Sequence, residues 1–97
     1  MMDDCIITLI HTADNPEDDE KTSVYATRYP VGRDEFQAAG VNGYKAEGMF
    51  TVWAEEYEDQ DAIEIQGDRL TIYRTYGPKS DGKIELYAAT RVGNYGR

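Results

Sequence analysis

The chain has 97 residues, of which 40% are hydrophobic, and its 19 acidic and 10 basic residues give a formal net charge of −9. This length allows one domain with one modest core and excludes a second. The negative charge argues against sequence-independent binding of duplex DNA, because phosphates would repel the protein surface. The single cysteine, Cys5, excludes an intramolecular disulfide and a metal site built from cysteines alone.

The N-terminal part of the chain predicts two strands around an acidic loop. Asp4–Thr12 has apolar and β-branched residues on both alternating phases, which predicts a strand covered on both faces with Cys5 as a buried apolar side chain. Residues 13–21 hold a block of acids around a proline, so we expect a mobile, solvated loop, and the acids lack the spacing of a calcium-binding loop. A second strand is predicted over Thr22–Tyr29 and is stopped by Pro30.

Residues 30–48 predict a helix-bearing loop. Acids in the first turn, helix formers behind them and a glycine at the exit indicate a short helix over residues 33–39. A helix of this length needs tertiary contacts, so Phe36 and an alanine are expected to dock on the sheet. Residues 41–47 show no periodicity and predict a flexible connection.

The heaviest predicted strand is Met49–Tyr57. Its two faces are Phe50, Val52 and Ala54 on one side and Met49, Trp53 and Tyr57 on the other. A small barrel or sandwich buries only one face of each strand. We therefore expect the second face to be covered by the short helix or by a partner.

Three further strands are predicted between Ala62 and Thr90, where the runs AIEIQ, RLTIYRTY and IELYAAT are separated by turn residues. A two-residue Gly67–Asp68 turn would pair Ile65 with Leu70 and place the apolar side chains of both strands on one face. This three-stranded meander is the clearest pattern in the chain.

Arg74 breaks the alternation of the second of these strands, because it shares the apolar phase of Leu70 and Ile72. A bulge that turns it outward, a strand end open to water, or an acidic partner across the sheet would each explain it. The favoured acidic partners are Glu47, Glu55 and Glu56, ahead of Glu85.

The chain shows no recognisable catalytic pattern. Its only histidine, His11, ends an apolar strand, and Glu55, Glu56 and Glu58 fit a solvated face beside a turn. Phosphate-binding loops and paired-cysteine motifs do not occur in the sequence. We expect no enzymatic activity and no metal or cofactor. The sequence also lacks the pattern of a signal peptide or a membrane span, which predicts a cytoplasmic protein.

The segment LTIYRTYGPKSDGKIELYAATRVGN, preceded by FTVWAEEYEDQDAIEIQGDR, resembles the C-terminal half of phage head closure or head–tail joining proteins. The upstream run YPVGRDEFQAAG is also similar to that family, so the resemblance covers most of the chain and is most specific from Phe50 to Gly93. It implies a virion protein that binds as a ring beneath the portal or its adaptor, retains the packaged DNA and presents a docking surface for the tail.

The implied partners are the portal or adaptor ring, the tail-terminator protein and further copies of the chain. Genomic DNA would pass by without sequence-specific binding, and no membrane is involved. The implied location is the head–tail interface of the virion, with the host cytoplasm as the site of assembly.

We therefore expect an all-β fold, a small antiparallel barrel or sandwich of five to six strands with one short inserted helix, in a single domain over residues 1–97. The candidate partner-interface residues are Trp53, Tyr57, Tyr73 and Tyr87, together with Arg91, Tyr95 and Arg97 of a basic tail, residues 91–97, that a partner would order. The resemblance implies a channel-closing stopper in the 30–48 loop, with Asn42, Gly43, Tyr44 and Lys45 as its candidates. The alternative is that this loop is an ordinary helix-bearing crossover between strands.

Two other functions compete with this interpretation. An acidic inhibitory protein that mimics nucleic acid would need its carboxylates in a spaced stripe, whereas many of them cluster here in two loop-like blocks. A small-ligand-binding barrel would need an apolar cavity, for which so small a core leaves little room.

Overall fold

A computed structural model describes residues 3–91 of the protein. For Arg91 it describes the backbone but not the side chain. The elements in this range are β1 (Asp3–His11), β2 (Glu20–Tyr29), α1 (Arg33–Val41), β3 (Tyr44–Trp53), β4 (Ala62–Ile65), β5 (Asp68–Tyr76) and β6 (Lys83–Arg91). The strands are antiparallel and close into a barrel in the order β1-β2-β3-β6-β5-β4. The predicted all-β class with one short inserted helix is confirmed.

The core fills the inside of the barrel, because alternate residues of each strand point inward. Its buried members are Ile7, Leu9, Val24, Ala26, Phe50, Val52, Ile63, Ile65, Leu70, Ile84, Leu86 and Ala88. The expectation that β1 is covered on both faces holds at Ile10, which is buried, and is wrong at Ile6, which is 60% exposed. Cys5 is half-buried and packs against the core.

The β4–β5 hairpin is real, but its turn lies one residue earlier than predicted. Ile65 pairs with Asp68 and Ile63 with Leu70, so the turn residues are Gln66 and Gly67. Their φ angles are 51° and 87°. A two-residue turn of type I′ needs positive φ at both central positions, and glycine is commonly the second of these residues. The pairing shifts by two residues and therefore keeps the apolar face.

Strand β3 begins at Tyr44, so the prediction of a flexible connection over residues 41–47 is wrong. The strand pairs along β6 from Tyr44 opposite Arg91 to Trp53 opposite Lys83. Pairing with a long, distant strand overrides the weak local pattern of these residues. At its other end β3 stops at Trp53, where a 3₁₀ helix over Ala54–Glu56 begins, four residues earlier than predicted.

The acidic loop is shorter than residues 13–21, because β2 begins at Glu20 and a 3₁₀ helix spans Pro16–Asp18. The Asp19 carboxylate accepts hydrogen bonds from the Ala13 N–H at 2.7 Å and from Arg69 at 3.2 Å. The loop is thus tied to the end of the barrel at one point. Its mobility stays a prediction.

The prediction that Arg91 is part of a basic tail is wrong, since the backbone of Arg91 belongs to β6 and pairs with Tyr44. The other candidate residues of that tail, Tyr95 and Arg97, lie outside the described residues.

Helix α1 extends two residues beyond the predicted end at residue 39. Ala39 is buried, as expected for the alanine that docks on the sheet. Phe36 is 47% exposed, so the expectation that it docks as well is wrong. Polar contacts of Glu35 hold the helix in place without Phe36.

Candidate functional site

A β-bulge in β5 creates the most elaborate side-chain cluster on the outer wall of the barrel. Ile72 pairs with Ala88 and Arg74 with Tyr87, so Tyr73 is an extra residue on β5. A bulge changes the phase of the strand, so that Arg74 leaves the inward phase of Leu70. The bulge explanation of Arg74 is confirmed.

Helix α1 supplies the acid that pairs with Arg74. Glu35 accepts hydrogen bonds from the Tyr73 hydroxyl at 2.6 Å and from Arg74 Nε at 3.2 Å on one carboxylate oxygen, and from Arg74 Nη2 on the other. Arg74 thus has an acidic partner, but the expectation that this acid lies across the sheet is wrong, because Glu35 belongs to α1. The partners favoured from the sequence, Glu47, Glu55 and Glu56, are wrong.

Aromatic rings complete this surface, which we call the aromatic–arginine cluster: Glu35, Tyr44, Tyr73, Arg74 and Tyr87. The rings of Tyr44 and Tyr73 stack with centroids 5.4 Å apart and an interplanar angle of 18°, and Tyr87 lies tilted 6.3 Å from Tyr73. The guanidinium carbon of Arg74 lies 3.8 Å from the centre of the Tyr87 ring. Charge-assisted hydrogen bonding and cation–π contact thus act on the same side chain.

The contacts within the cluster shift the pKa values of the Glu35 carboxyl group and the Tyr73 hydroxyl. The hydrogen bond from Arg74 is the main cause that holds the pKa of Glu35 below its usual range. Burial, followed by the hydrogen bond to Glu35, raises the pKa of Tyr73 well above its usual range. Glu35 therefore remains a carboxylate and Tyr73 a phenol donor near neutral pH.

Tyr87 connects the cluster to the turn that precedes β6. Its hydroxyl donates to Glu85 at 2.8 Å, and Lys79 Nζ donates to the other oxygen of Glu85 at 3.1 Å. The interface candidates Tyr73 and Tyr87 are thus half-buried and bonded within the chain. Their role in subunit contacts stays a prediction.

A second surface, the outer apolar row, consists of Ile6, Tyr25 and Trp53, which are 60%, 76% and 47% exposed. Ile6 pairs with Tyr25 across β1 and β2. Strands β2 and β3 pair only from Thr27 opposite Thr51 to Tyr29 opposite Met49, so they separate towards Tyr25 and Trp53. A groove of about 280 Å³ lies in the gap.

Polar side chains border the groove. Lys83 Nζ lies 5.1 Å from the centre of the Trp53 ring. Asp4, which accepts a hydrogen bond from the Thr27 hydroxyl at 3.0 Å, lines the groove from β1. The row is therefore an apolar strip with one cation and one anion beside it.

The candidates Trp53 and Tyr57 do not share a face. Trp53 ends β3 and points outward, whereas Tyr57 lies past the 3₁₀ helix and packs against the core. The Tyr57 hydroxyl donates to the backbone oxygen of Gln60 at 2.9 Å, and burial raises the pKa of Tyr57. The predicted Met49, Trp53, Tyr57 face is wrong, because the strand does not continue to Tyr57.

Sequence reasoning missed Ile6 and Tyr25 as surface residues. The run CIITLI is apolar on both phases, which predicts a strand covered on both faces and therefore a buried Ile6. The signal that identifies Ile6 is its pairing with an exposed tyrosine, Tyr25, on the outside of the barrel.

The four stopper candidates do not form one loop. Asn42 and Gly43 make a tight turn after α1, with Gly43 at φ 83° and its N–H bonded to the Gly40 oxygen at 3.1 Å. Tyr44 and Lys45 belong to β3, opposite Arg91 and Thr90 of β6. Gating by residues 30–48 stays a prediction.

Among residues 3–91, no group of three or more His, Cys, Asp or Glu side chains is arranged to hold a metal ion. The helices of that range lack the length and apolar character needed to cross a membrane. The sequence matches no protein-family model, and no curated protein or solved structure matches it.

Proposed function

We propose that the protein is a structural component of a phage head–tail connector, which binds as a ring below the portal or adaptor, retains the DNA and provides the surface on which the tail docks. The proposal starts from the resemblance of residues 50–93 to head closure proteins. The observation that carries it furthest is the outer apolar row, because exposed apolar surface of this kind marks an interaction site.

Ring assembly needs two different surfaces on each copy, since the contacts around a ring are heterologous. The outer apolar row belongs to β1, β2 and β3. A second set of exposed apolar side chains, Phe36 at 47% and Val41 at 87%, belongs to α1. In the proposed ring, the outer apolar row of one copy packs against α1 of the next.

The charge of the chain fits the remaining part of this role. With a net charge of −9, the surface repels DNA phosphates and favours passage of the genome over binding. The aromatic–arginine cluster fixes α1 against the barrel and so fixes the relative position of the two proposed contact surfaces.

Replacement of Tyr25 by glutamate tests this function. Tyr25→Glu places a charge in the centre of the outer apolar row, where the side chain is 76% exposed, so the monomer should fold normally. In a phage that depends on this protein, filled heads should accumulate without tails. Measurements are the thermal unfolding of the isolated protein and the count of tailed particles by electron microscopy.

The matched control is Tyr76→Glu. Tyr76 is 59% exposed on β5 and lies outside the outer apolar row. This variant should give tailed particles at the wild-type level. Equal numbers of tailed particles for both variants would contradict the proposed function.

A further inference from the structure

Helix α1 is weak by itself. It has nine residues, its N-cap Gly32 makes no side-chain capping hydrogen bond, and its last turn carries no basic residue. Isolated helices shorter than about 12–15 residues are marginal in water. The helix therefore depends on the barrel for its stability.

Its contacts with the barrel are few. Ala39 is the buried residue of the helix, while Phe36 and Val41 are exposed. Glu35 is the polar anchor: its side chain is only 16% exposed and accepts three hydrogen bonds from the bulge in β5. One carboxylate thus provides most of the directional contacts between α1 and the barrel wall.

We propose that Glu35 is a latch that holds α1 in its docked position, and that breaking this latch releases α1 while the barrel stays folded. The proposal concerns the chain alone and does not rest on a connector function.

The barrel does not need α1 to stay closed. Helix α1 takes part in none of the six strand pairings that close the barrel. The buried core cluster also contains no residue of α1. The helix contacts mainly β3. Its release would therefore leave the pairing of β3 with β6 and the packing of the core unchanged.

The chain on both sides of α1 can accommodate such a movement. Gly32 precedes the helix, and Gly43, at φ 83°, follows it. Glycine adopts both negative and positive φ at low steric cost. Release would leave the Tyr73 hydroxyl and the Arg74 guanidinium without the Glu35 carboxylate.

Hydrogen exchange of the full-length protein tests the latch, with Glu35→Ala as the main variant. The protection of α1 amides should fall by about tenfold to a hundredfold, as expected for the loss of hydrogen bonds to a charged group. The protection of β3 and β6 amides should stay within about twofold of wild type.

The matched control is Asp34→Asn. Asp34 lies in the same helical turn and carries the same charge near the helix N-terminus, but among the described residues it makes no hydrogen bond or ion pair. This variant should lower the protection of α1 by no more than about fivefold, the effect of one charge near the helix N-terminus. A fall equal to that of Glu35→Ala would assign the effect to charge near the helix end and overturn the latch.

The opposite side of the latch offers a second variant. Arg74→Lys keeps the positive charge but loses the two-point hydrogen bonding and the stacking on Tyr87, so α1 should again lose protection. Unchanged protection of α1 in both Glu35→Ala and Arg74→Lys would overturn the proposal. An equal loss of protection in α1, β3 and β6, or failure of Glu35→Ala and Glu35→Gln to fold, would also overturn it, because the barrel would then depend on α1.

Discussion

Glu35 and Arg74 form the contact on which the position of α1 depends, and they are 39 residues apart in the chain. The bulge at Tyr73 brings them together, because it places two consecutive β5 side chains within reach of one carboxylate. Hydrogen bonds to an ionised group are about twice as strong as neutral ones. Protonation of Glu35 should therefore weaken the docking of α1.

The pKa of Glu35 is lowered in the docked state, chiefly by Arg74, so its contribution to docking is fully present above the pKa of a free glutamate, about 4.3. It is lost as the pH falls through the lower pKa of the docked state. The charged and titratable groups around the latch are Tyr73 and Arg74 of β5, Tyr87 and Glu85 of β6 and Tyr44 of β3. Protection factors of α1 amides should fall as the pH is lowered from about 4.3, the pKa of a free glutamate, through the lower pKa of Glu35 in the docked state.

Glu35→Gln provides the control for this pH dependence. It has no proton to gain in this range, so its α1 protection should be low at neutral pH and should not fall further in acid. A step of wild-type size in this variant would show that another carboxylate controls the helix.

At the residue scale, the sequence could identify Arg74 as the residue that breaks the strand pattern, and the predicted bulge is confirmed. An acidic partner was also predicted, but on the sheet and not on α1. The sequence could not identify Glu35 as the partner. No periodicity connects a helix residue to a strand residue so far along the chain, and the acids closer to the expected strands competed with it. The contact exists only because the bulge and the docked helix meet.

The β4–β5 hairpin is the element whose register was predicted wrongly, and its turn can be tested by substitution. Gly67 has φ 87°, and a Cβ there would meet no atom within 4 Å, so Gly67→Ala should cost only the backbone strain, about 1 kcal/mol. The free energy of unfolding from urea denaturation measures this cost.

Gly40→Ala is the matched control, because a Cβ at Gly40 also meets no atom within 4 Å but the residue lies in α1 with an ordinary φ. Alanine is a better helix former than glycine, so this variant should be as stable as wild type or more stable. Equal stability of Gly67→Ala and wild type would contradict the turn at Gln66–Gly67.

At the element scale, alternating apolar residues predicted where strands occur, and their ends depended on pairing. β3 begins at Tyr44 because β6 provides partners as far as Arg91, and it ends at Trp53, whose partner Lys83 begins β6. Neither end of the strand can be predicted from the residues of β3 alone. Helix α1 was predicted from its own residues, since end signals and helix formers are local.

For the whole molecule, the all-β class followed from the strand patterns, but barrel and sandwich could not be distinguished from the sequence. Closure depends on short pairings between distant segments, such as the three residue pairs that join β1 to β4. The outer apolar row also emerges only after closure, because Ile6, Tyr25 and Trp53 come from three strands. The net charge, in contrast, depends only on composition and follows directly from the sequence.

The net charge also bears on assembly. Each copy carries −9, so copies repel one another in solution, and the repulsion is screened by salt. The outer apolar row provides attraction over a limited area. We therefore expect a monomer in isolation and a ring only where a template brings the copies together.

Native mass measured with and without the portal–adaptor ring of the same phage tests this central claim most directly. The account predicts a monomer alone and a complex in which a ring of copies occupies the template, with Tyr25→Glu failing to bind as a ring. A protein that remains monomeric in the presence of the template would contradict the account.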